Sequence, residues 1–137
     1  MNSKHSIDGL IDYCKALRNH GPPVDEQLIV ETHFTLDSAY RAMKDLLLMA
    51  PPPTAALMIN DYSAFGSFRA ARDMRKKIAE DISIVGFGDV PLVSMVNPPL
   101  TTFHAPPEEM GQWAADMLLK LIRKKKLTQK HLIFPWK

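Results

Sequence analysis

Two unbroken apolar runs, each ending in a polar or glycine-rich turn, constrain the fold of this chain more than any other feature. The first covers residues 55–59 and ends at Asn60 and Asp61, and the second covers residues 82–87 and ends just before Asp89. Such runs are typical of strands buried on both faces of a parallel sheet. We therefore expect two parallel neighbours joined by one crossover helix, both of them buried.

Further helical and strand patterns surround these two runs. Helical periodicity predicts helices over residues 7–19, across the apolar series from Leu36 to Leu47, from about residue 62 to residue 77, and over residues 107–122, the last with its apolar residues on one face. Thr35 or Asp37 would cap the second of them. Shorter apolar runs predict strands over residues 28–30, 100–103 and 131–134. This order predicts an α/β fold, an open and mainly parallel sheet flanked by helices, with flavodoxin-like topology.

Composition and charge narrow the class of protein. A chain of 137 residues with 46% apolar and 23% charged residues is typical of one globular domain. The net charge is +2, and the basic residues are scattered along the chain apart from residues 123–126. These four residues follow the end of a predicted helix, where positive charge is favoured by the helix dipole. A nucleic-acid-binding surface is therefore not expected. The single cysteine, Cys14, is expected in the core and supports neither a disulfide nor a thiolate metal site.

The N-terminal sequence and the hydropathy pattern bear on location. Residues 1–9 contain no apolar signal core, and no apolar run approaches the ~20 residues that span a bilayer. The sequence therefore predicts a cytoplasmic protein without membrane association.

Polar and aromatic side chains cluster at the predicted carboxyl ends of the strands, where open α/β sheets bind ligands. Amide and carboxylate groups hydrogen-bond to hydroxyls, and aromatic rings cover the apolar face of a sugar or base. This combination predicts a polyol or nucleoside-like ligand. The candidate ligand-binding residues are Asn60, Asp61, Tyr62, Phe87, Asp89 and His104.

Each of these residues also has a purely structural interpretation. Asp61 could cap the helix that begins at Tyr62, and Asp89 could cap the turn that follows it. His104 could be an ordinary loop imidazole, and Phe87 could belong to the core.

Catalytic motifs are scarce. The sequence contains no nucleophile elbow, Walker loop, zinc-protease motif or complete dinucleotide-binding fingerprint. Asp61 and Asp89 form the only acidic pair that could hold Mg²⁺ at the strand ends, as in a flavodoxin-like phosphoacceptor or a Mg²⁺-dependent enzyme. That function is the alternative; the main interpretation is non-enzymatic, with no catalytic residue, cofactor or metal.

Five motifs in order resemble the effector-binding domain of the lactose/galactose repressor (LacI/GalR) family of bacterial transcription regulators, which shares the periplasmic binding protein fold. The matching residues are Pro53-Thr54-Ala55, Asn60-Asp61 with Ala64 and Gly66, residues 80–87, residues 98–102, and Glu109-Met110-Gly111 with Ala114. The resemblance is strong from residue 53 to residue 122 and looser from residue 6 to residue 50.

The resemblance implies a two-lobed domain that closes on a small effector and alters the DNA affinity of a separate helix-turn-helix headpiece. Residues 1–137 would form a single partial lobe, with the headpiece, the first lobe and a central strand before residues 7–19 outside this chain. DNA would be contacted only through that absent headpiece.

The family's effector contacts carry over in part. Asn60 and Asp61 match the polar pair after the strand, and Asp89 matches the second acidic position of the following turn. The first acidic position is Gly88, Ser6 stands where an arginine is frequent, and Ala105 stands where glutamine is common. The resemblance therefore implies weak effector binding by this chain.

Self-association is also expected. Residues 90–96 are strongly apolar for a surface turn, and unpaired sheet edges can recruit another chain. The resemblance places this turn and the start of the helix at residues 63–68 in a dimer contact. The predicted homodimer interface comprises Ser63, Phe65, Leu92, Val93 and Met95. The turn could instead fold back on its own lobe as a short helix.

Overall fold

A computed structural model describes residues 4–135 of the chain and contains four α-helices, three strands and two short 3₁₀ helices within that range. In chain order the regular elements are α1 (Lys4–His20), α2 (Leu36–Leu47), β1 (Ala55–Leu57), α3 (Asp61–Asp73), β2 (Ser83–Gly88), β3 (Thr101–His104) and α4 (Pro107–Ile122). The 3₁₀ helices are Glu26–Leu28 and Pro91–Ser94. None of the described helices combines the length and apolarity that a membrane span requires.

The three strands form one parallel sheet in the order β1-β2-β3. Ala56 pairs with Ile84, and Phe87 pairs with Phe103. The expected parallel pairing of the two apolar runs is confirmed, with α3 as their crossover helix. The α/β class predicted from the order of elements is confirmed as well.

Burial of the strands on both faces was the wrong expectation. Ile84 is 5% exposed on one face of β2, whereas Leu57 of β1 is 56% exposed on the other face of the sheet. β1 also ends at Leu57, two residues before the predicted end. The reason is that α2 and α3 cover only one face of the sheet.

The core lies between that covered face and the pair α2 and α3. Thr35 caps α2, since its hydroxyl accepts a hydrogen bond from the Ser38 backbone N–H at 3.2 Å. Gly66 allows the two helices to approach closely, because a Cβ there would collide with the backbone carbonyl of Leu36. The buried cluster comprises Met43, Leu47, Ala64, Ala70, Ala71, Ile82, Ile84 and Leu100.

The helices α1 and α4 contribute no buried side chain to this core within the part of the chain whose burial is described. The boundaries of α4 match the prediction, but Trp113 on its apolar face is 40% exposed. Cys14 of α1 is only half-buried, so its predicted core position is wrong. The apolar stripes of α1 and α4 therefore remain largely at the surface.

Two predicted strands do not form. Residues 28–30 fall at the end of a 3₁₀ helix and in the extended segment after it, and residues 131–134 have no regular structure. A strand requires the backbone groups of a neighbour. The three described strands pair only with one another, and neither segment is placed alongside them.

The helix predicted over residues 62–77 ends earlier, at Asp73. Arg75 and Ala79 then adopt left-handed backbone conformations, with φ of 57° and 71°. Each such residue costs about 1–2 kcal/mol relative to a right-handed conformation. The Asp81 carboxylate accepts a hydrogen bond from the Lys77 backbone N–H at 2.7 Å, which stabilises the turn into β2.

Replacing Gly66 with alanine tests the close packing of α2 on α3. We expect Gly66→Ala to lower the free energy of unfolding by about 1–3 kcal/mol, because the new methyl group must push the helices apart. Urea denaturation of the 137-residue chain measures the change. Gly111→Ala is the matched control: nothing lies within 4 Å of a Cβ there, so the same substitution in α4 should raise stability by about 1 kcal/mol. Equal effects at the two positions would contradict the packing argument.

Candidate functional site

Asn60 and Asp61, adjacent in sequence, have different environments at the end of β1. The Asn60 side-chain oxygen accepts a hydrogen bond from the Ser63 backbone N–H at 2.8 Å, so Asn60 is the N-cap of α3. Asp61 is the first residue of α3 and is only 1% exposed. The structural interpretation of Asp61 as the helix cap is therefore wrong, because Asn60 fills that role.

The Asp61 carboxylate connects the ends of three elements. Its Oδ1 accepts a hydrogen bond from the Thr102 hydroxyl of β3 at 2.6 Å, and its Oδ2 accepts one from the Val90 backbone N–H after β2 at 2.9 Å. Both oxygens are thus engaged by protein donors. The geometry makes Asp61 a positioning group for the carboxyl-terminal edge of the sheet.

Two glycines of β2 make room for this carboxylate. A Cβ on Gly86 would collide with Oδ1 of Asp61, and one on Gly88 would lie 3.2 Å from Oδ2. Gly88 also has a φ of +131°, which side-chain-bearing residues rarely adopt. The acidic residue that the family resemblance expects at Gly88 would be strained by this backbone conformation and repelled by the Asp61 carboxylate beside it.

Asp89 and His104, which were both predicted to bind the ligand, contact each other directly at this edge of the sheet. The Asp89 Oδ2 lies 2.8 Å from the His104 Nδ1, and the two side chains are 39% and 44% exposed. Asp89 has a left-handed φ of 60° and makes no capping bond to the 3₁₀ helix after it. Neither structural interpretation, Asp89 as a cap or His104 as an ordinary loop residue, describes this pair.

The predicted aromatic residues lie in two separate places. Phe87 is 36% exposed rather than a core residue, and its ring centroid is 6.3 Å from that of Phe103 on the uncovered face of the sheet. Tyr62 is 50% exposed and packs edge-on against Phe65, with the centroids 6.1 Å apart. Both exposed rings offer apolar surface to a ligand.

A small cavity of about 110 Å³ lies beside the Asp89–His104 pair. It is lined by His104, Pro106, Glu109 and Pro135. His104 is the member of the Asp89–His104 pair that lines this cavity. Across the described residues, no group of three or more His, Cys, Asp or Glu side chains is arranged to hold a metal ion. The phosphoacceptor alternative loses support, because Asp61 is buried with both oxygens occupied.

Thr102 and Phe103 are the site-edge residues that the sequence interpretation missed. The Thr102 hydroxyl holds Asp61, and Phe103 pairs in register with Phe87. A signal was available: once β2 and β3 are taken as parallel neighbours, the apolar Phe103 must share a face with Phe87.

The five predicted interface residues divide into three groups. Leu92 and Met95 are 46% and 77% exposed around the 3₁₀ helix Pro91–Ser94. Phe65 and Val93 pack against the core of their own chain. Ser63 is 1% exposed, and its hydroxyl has no hydrogen-bond partner. Surface contact through Ser63 is therefore wrong, because the first turn of α3 faces inward at that position.

Comparison with known proteins identifies the family. The family model described as "Periplasmic binding protein-like domain" matches residues 3–136. The HTH-type transcriptional repressor CytR from Escherichia coli K12 is 39% identical over 107 residues, which are 78% of this chain and 31% of that protein. The chain belongs to the periplasmic binding protein-like family, and its relatives include repressors of the LacI type.

Solved LacI-type structures support the same assignment. A transcriptional regulator LacI from Bacillus cereus subsp. cytotoxis superposes with a TM-score of 0.91 at 26% identity, over 96% of this chain and 47% of that one. A LacI family regulator from Enterococcus faecium with bound ribose gives 0.73 at 33% identity, over 80% and 40%. This LacI-type chain thus spans about a third of CytR and less than half of these two solved chains.

Replacing Asp61 with asparagine tests its role as a positioning group. The amide keeps the size of the side chain but loses the charge and turns an N–H group toward one of the two donors. We expect Asp61→Asn to lower the free energy of unfolding by about 2 kcal/mol in urea denaturation.

Asp116→Asn is the matched control for this substitution. Asp116 forms an exposed ion pair with Lys120 on α4, and removing its charge should cost only about 0.5 kcal/mol. Comparable small losses for the two variants would show that the Asp61 contacts do not hold the strand ends.

Proposed function

We propose that the chain is the effector-binding and dimerisation part of a bacterial LacI-type transcriptional regulator. Its lobe would control the DNA binding of a headpiece outside this chain. The observation that carries the proposal is the half-exposed Asp89–His104 pair at the carboxyl-terminal edge of a sheet whose chain matches the family over residues 3–136. Such edges are where open α/β sheets take up small molecules.

The proposed effector is a sugar or a nucleoside-like molecule. The ribose complex of the Enterococcus faecium relative supports this class. Asp89 and His104 would hydrogen-bond to hydroxyl groups, and Asn60 would donate its side-chain N–H groups, since its oxygen already caps α3. Tyr62 and Phe87 would cover apolar parts of the ligand.

Asp61 would act on the effector only through other residues. Its bonds to Val90 and Thr102 fix the turn that carries Asp89 and the strand that carries His104. A regulator of this kind needs no reaction chemistry, so the proposed function is non-enzymatic. Because the proposed regulator controls binding to chromosomal DNA, its proposed location is the bacterial cytoplasm.

Effector binding is tested by isothermal titration calorimetry of the 137-residue chain with D-ribose and with uridine. We expect saturable but weak binding of one of them, with Kd on the order of 1 mM, because an open edge covers only part of the ligand surface. Asp89→Ala should abolish the binding. Asp12→Ala removes an exposed carboxylate of α1 that is paired with Lys15 and should change nothing.

Two outcomes would contradict this proposal. Loss of binding in both variants would show a general charge effect rather than a site at Asp89. Phosphorylation of the chain by acetyl phosphate, dependent on Mg²⁺, would favour the phosphoacceptor function instead.

Dimerisation is the second part of the proposal. Leu92 and Met95 present apolar side chains beside Val93, which is anchored in the core, so the 3₁₀ helix offers a supported apolar surface. An exposed patch of this kind is typical of an interface between proteins. Met95, the most exposed of the three, would lie between the two chains.

Met95→Glu tests the proposed interface without disturbing the core. We expect the unmodified chain to sediment as a dimer at 100 μM or so, and the variant as a monomer, because the new carboxylate would be buried between chains. Leu48→Glu is the control, since Leu48 is 70% exposed at the end of α2, away from the 3₁₀ helix. A monomeric unmodified chain, or a dimer that survives Met95→Glu, would refute this interface.

A further inference from the structure

The end of α4 and the segment after it carry a local excess of positive charge. Residues 116–130 contain six basic side chains and one acidic side chain, Asp116, although the whole chain has a net charge of +2. The rest of the chain is therefore slightly acidic. This distribution gives the molecule one positive pole, at a distance in sequence from the Asp89–His104 edge.

The backbone at this pole is already satisfied. The N–H groups of Lys124 and Lys125 donate to the carbonyls of Leu121 and Lys120, both at 2.9 Å, which closes the last turn of α4. Lys120 forms an ion pair with Asp116 at 2.6 Å. Lys125 and Lys126 have no ion-pair partner among the described residues. The helix dipole explains why cations are tolerated here, but it leaves these two ammonium groups uncompensated.

A cavity of about 220 Å³ lies at the same place. Trp113 and Met117 of α4 and Leu127 of the following segment provide its apolar wall, and the polar atoms come from the lysines and from Thr128 and Gln129. The lining residues are Trp113, Met117, Lys120, Lys125, Lys126, Leu127, Thr128 and Gln129. A tryptophan, a methionine and two lysines without an ion-pair partner among the described residues thus line one space.

The size and chemistry of this cavity select a class of ligand. A cavity of about 150 Å³ holds a benzene ring, so 220 Å³ holds one ring with one further polar group. The tryptophan ring and the methionine sulfur favour an aromatic ring, since both pack well against one. The uncompensated Lys125 and Lys126 favour an anion as the polar group.

We propose that this cavity, defined here as the α4-end pocket, binds a small aromatic anion, one ring carrying a phosphate or carboxylate group. The ring packs between Trp113 and Met117. Lys125 and Lys126 neutralise the anion, and the Thr128 hydroxyl and Gln129 amide complete its hydrogen bonds. The pocket is independent of the proposed effector site, since it shares no residue with it.

The experiment titrates phenyl phosphate into the ¹⁵N-labelled 137-residue chain and follows the indole N–H of Trp113 by NMR, assigned with Trp113→Phe. We expect a saturable shift with Kd on the order of 1 mM, as for other ligands of this size. Phenol contains only the aromatic ring of the proposed ligand, and inorganic phosphate contains only its anionic group. Each should bind at least 10-fold more weakly than phenyl phosphate. Higher salt should weaken the binding of phenyl phosphate.

Two double variants separate a pocket from a general charge effect. Lys125→Gln with Lys126→Gln removes the two lining ammonium groups and should weaken binding at least 5-fold. Lys124→Gln with Lys130→Gln removes the same charge from the same pole outside the lining and should change Kd less than 2-fold. The proposal is overturned by an unsaturable shift, by equal binding of inorganic phosphate, or by equal losses in the two double variants.

Discussion

The buried carboxylate of Asp61 fixes the arrangement on which the rest of the sheet edge depends. It accepts hydrogen bonds from the Val90 backbone in the turn after β2 and from a side chain of β3, while its own backbone begins α3, which three residues separate from the end of β1. One charged group therefore joins all three strand ends. A buried charge of this kind is tolerated only when its hydrogen bonds are complete, so the positions of its donors are strongly determined.

The elements of this chain could be predicted wherever local pattern and tertiary packing agree. Residues 107–122 were predicted with the boundaries that the structure shows, and the apolar series from Leu36 to Leu47 coincides with α2, because helical periodicity is a property of the sequence itself. Residues 28–30 and 131–134 have the composition of strands but no neighbour to pair with. Strand formation depends on a neighbouring segment with which the backbone can pair, and local composition does not indicate whether such a segment is available.

The candidate site was predictable in position but less so in its details. The rule that ligands bind at the carboxyl ends of parallel strands led to Asp89 and His104, which the structure brings into contact. It could not separate the buried Asp61 from the half-exposed Asp89, because both acids follow strands in similar sequence contexts. The difference arises from Gly86 and Gly88, whose missing side chains leave space for the first carboxylate only.

The uncovered face of the sheet has a consequence for the behaviour of the protein in solution. Its seven strand positions, Ala55, Leu57, Ser83, Val85, Phe87, Thr101 and Phe103, carry no charged side chain. Charged residues at such positions are a common protection against strand-to-strand aggregation, and this face lacks them. Protection is left to the two edge strands, β1 and β3, which are three and four residues long. Prolines, which cannot donate backbone hydrogen bonds to an incoming strand, lie before β1 at positions 51–53 and on both sides of β3 at positions 98–99 and 106–107. The colloidal stability of the chain thus rests on two short edges that prolines flank.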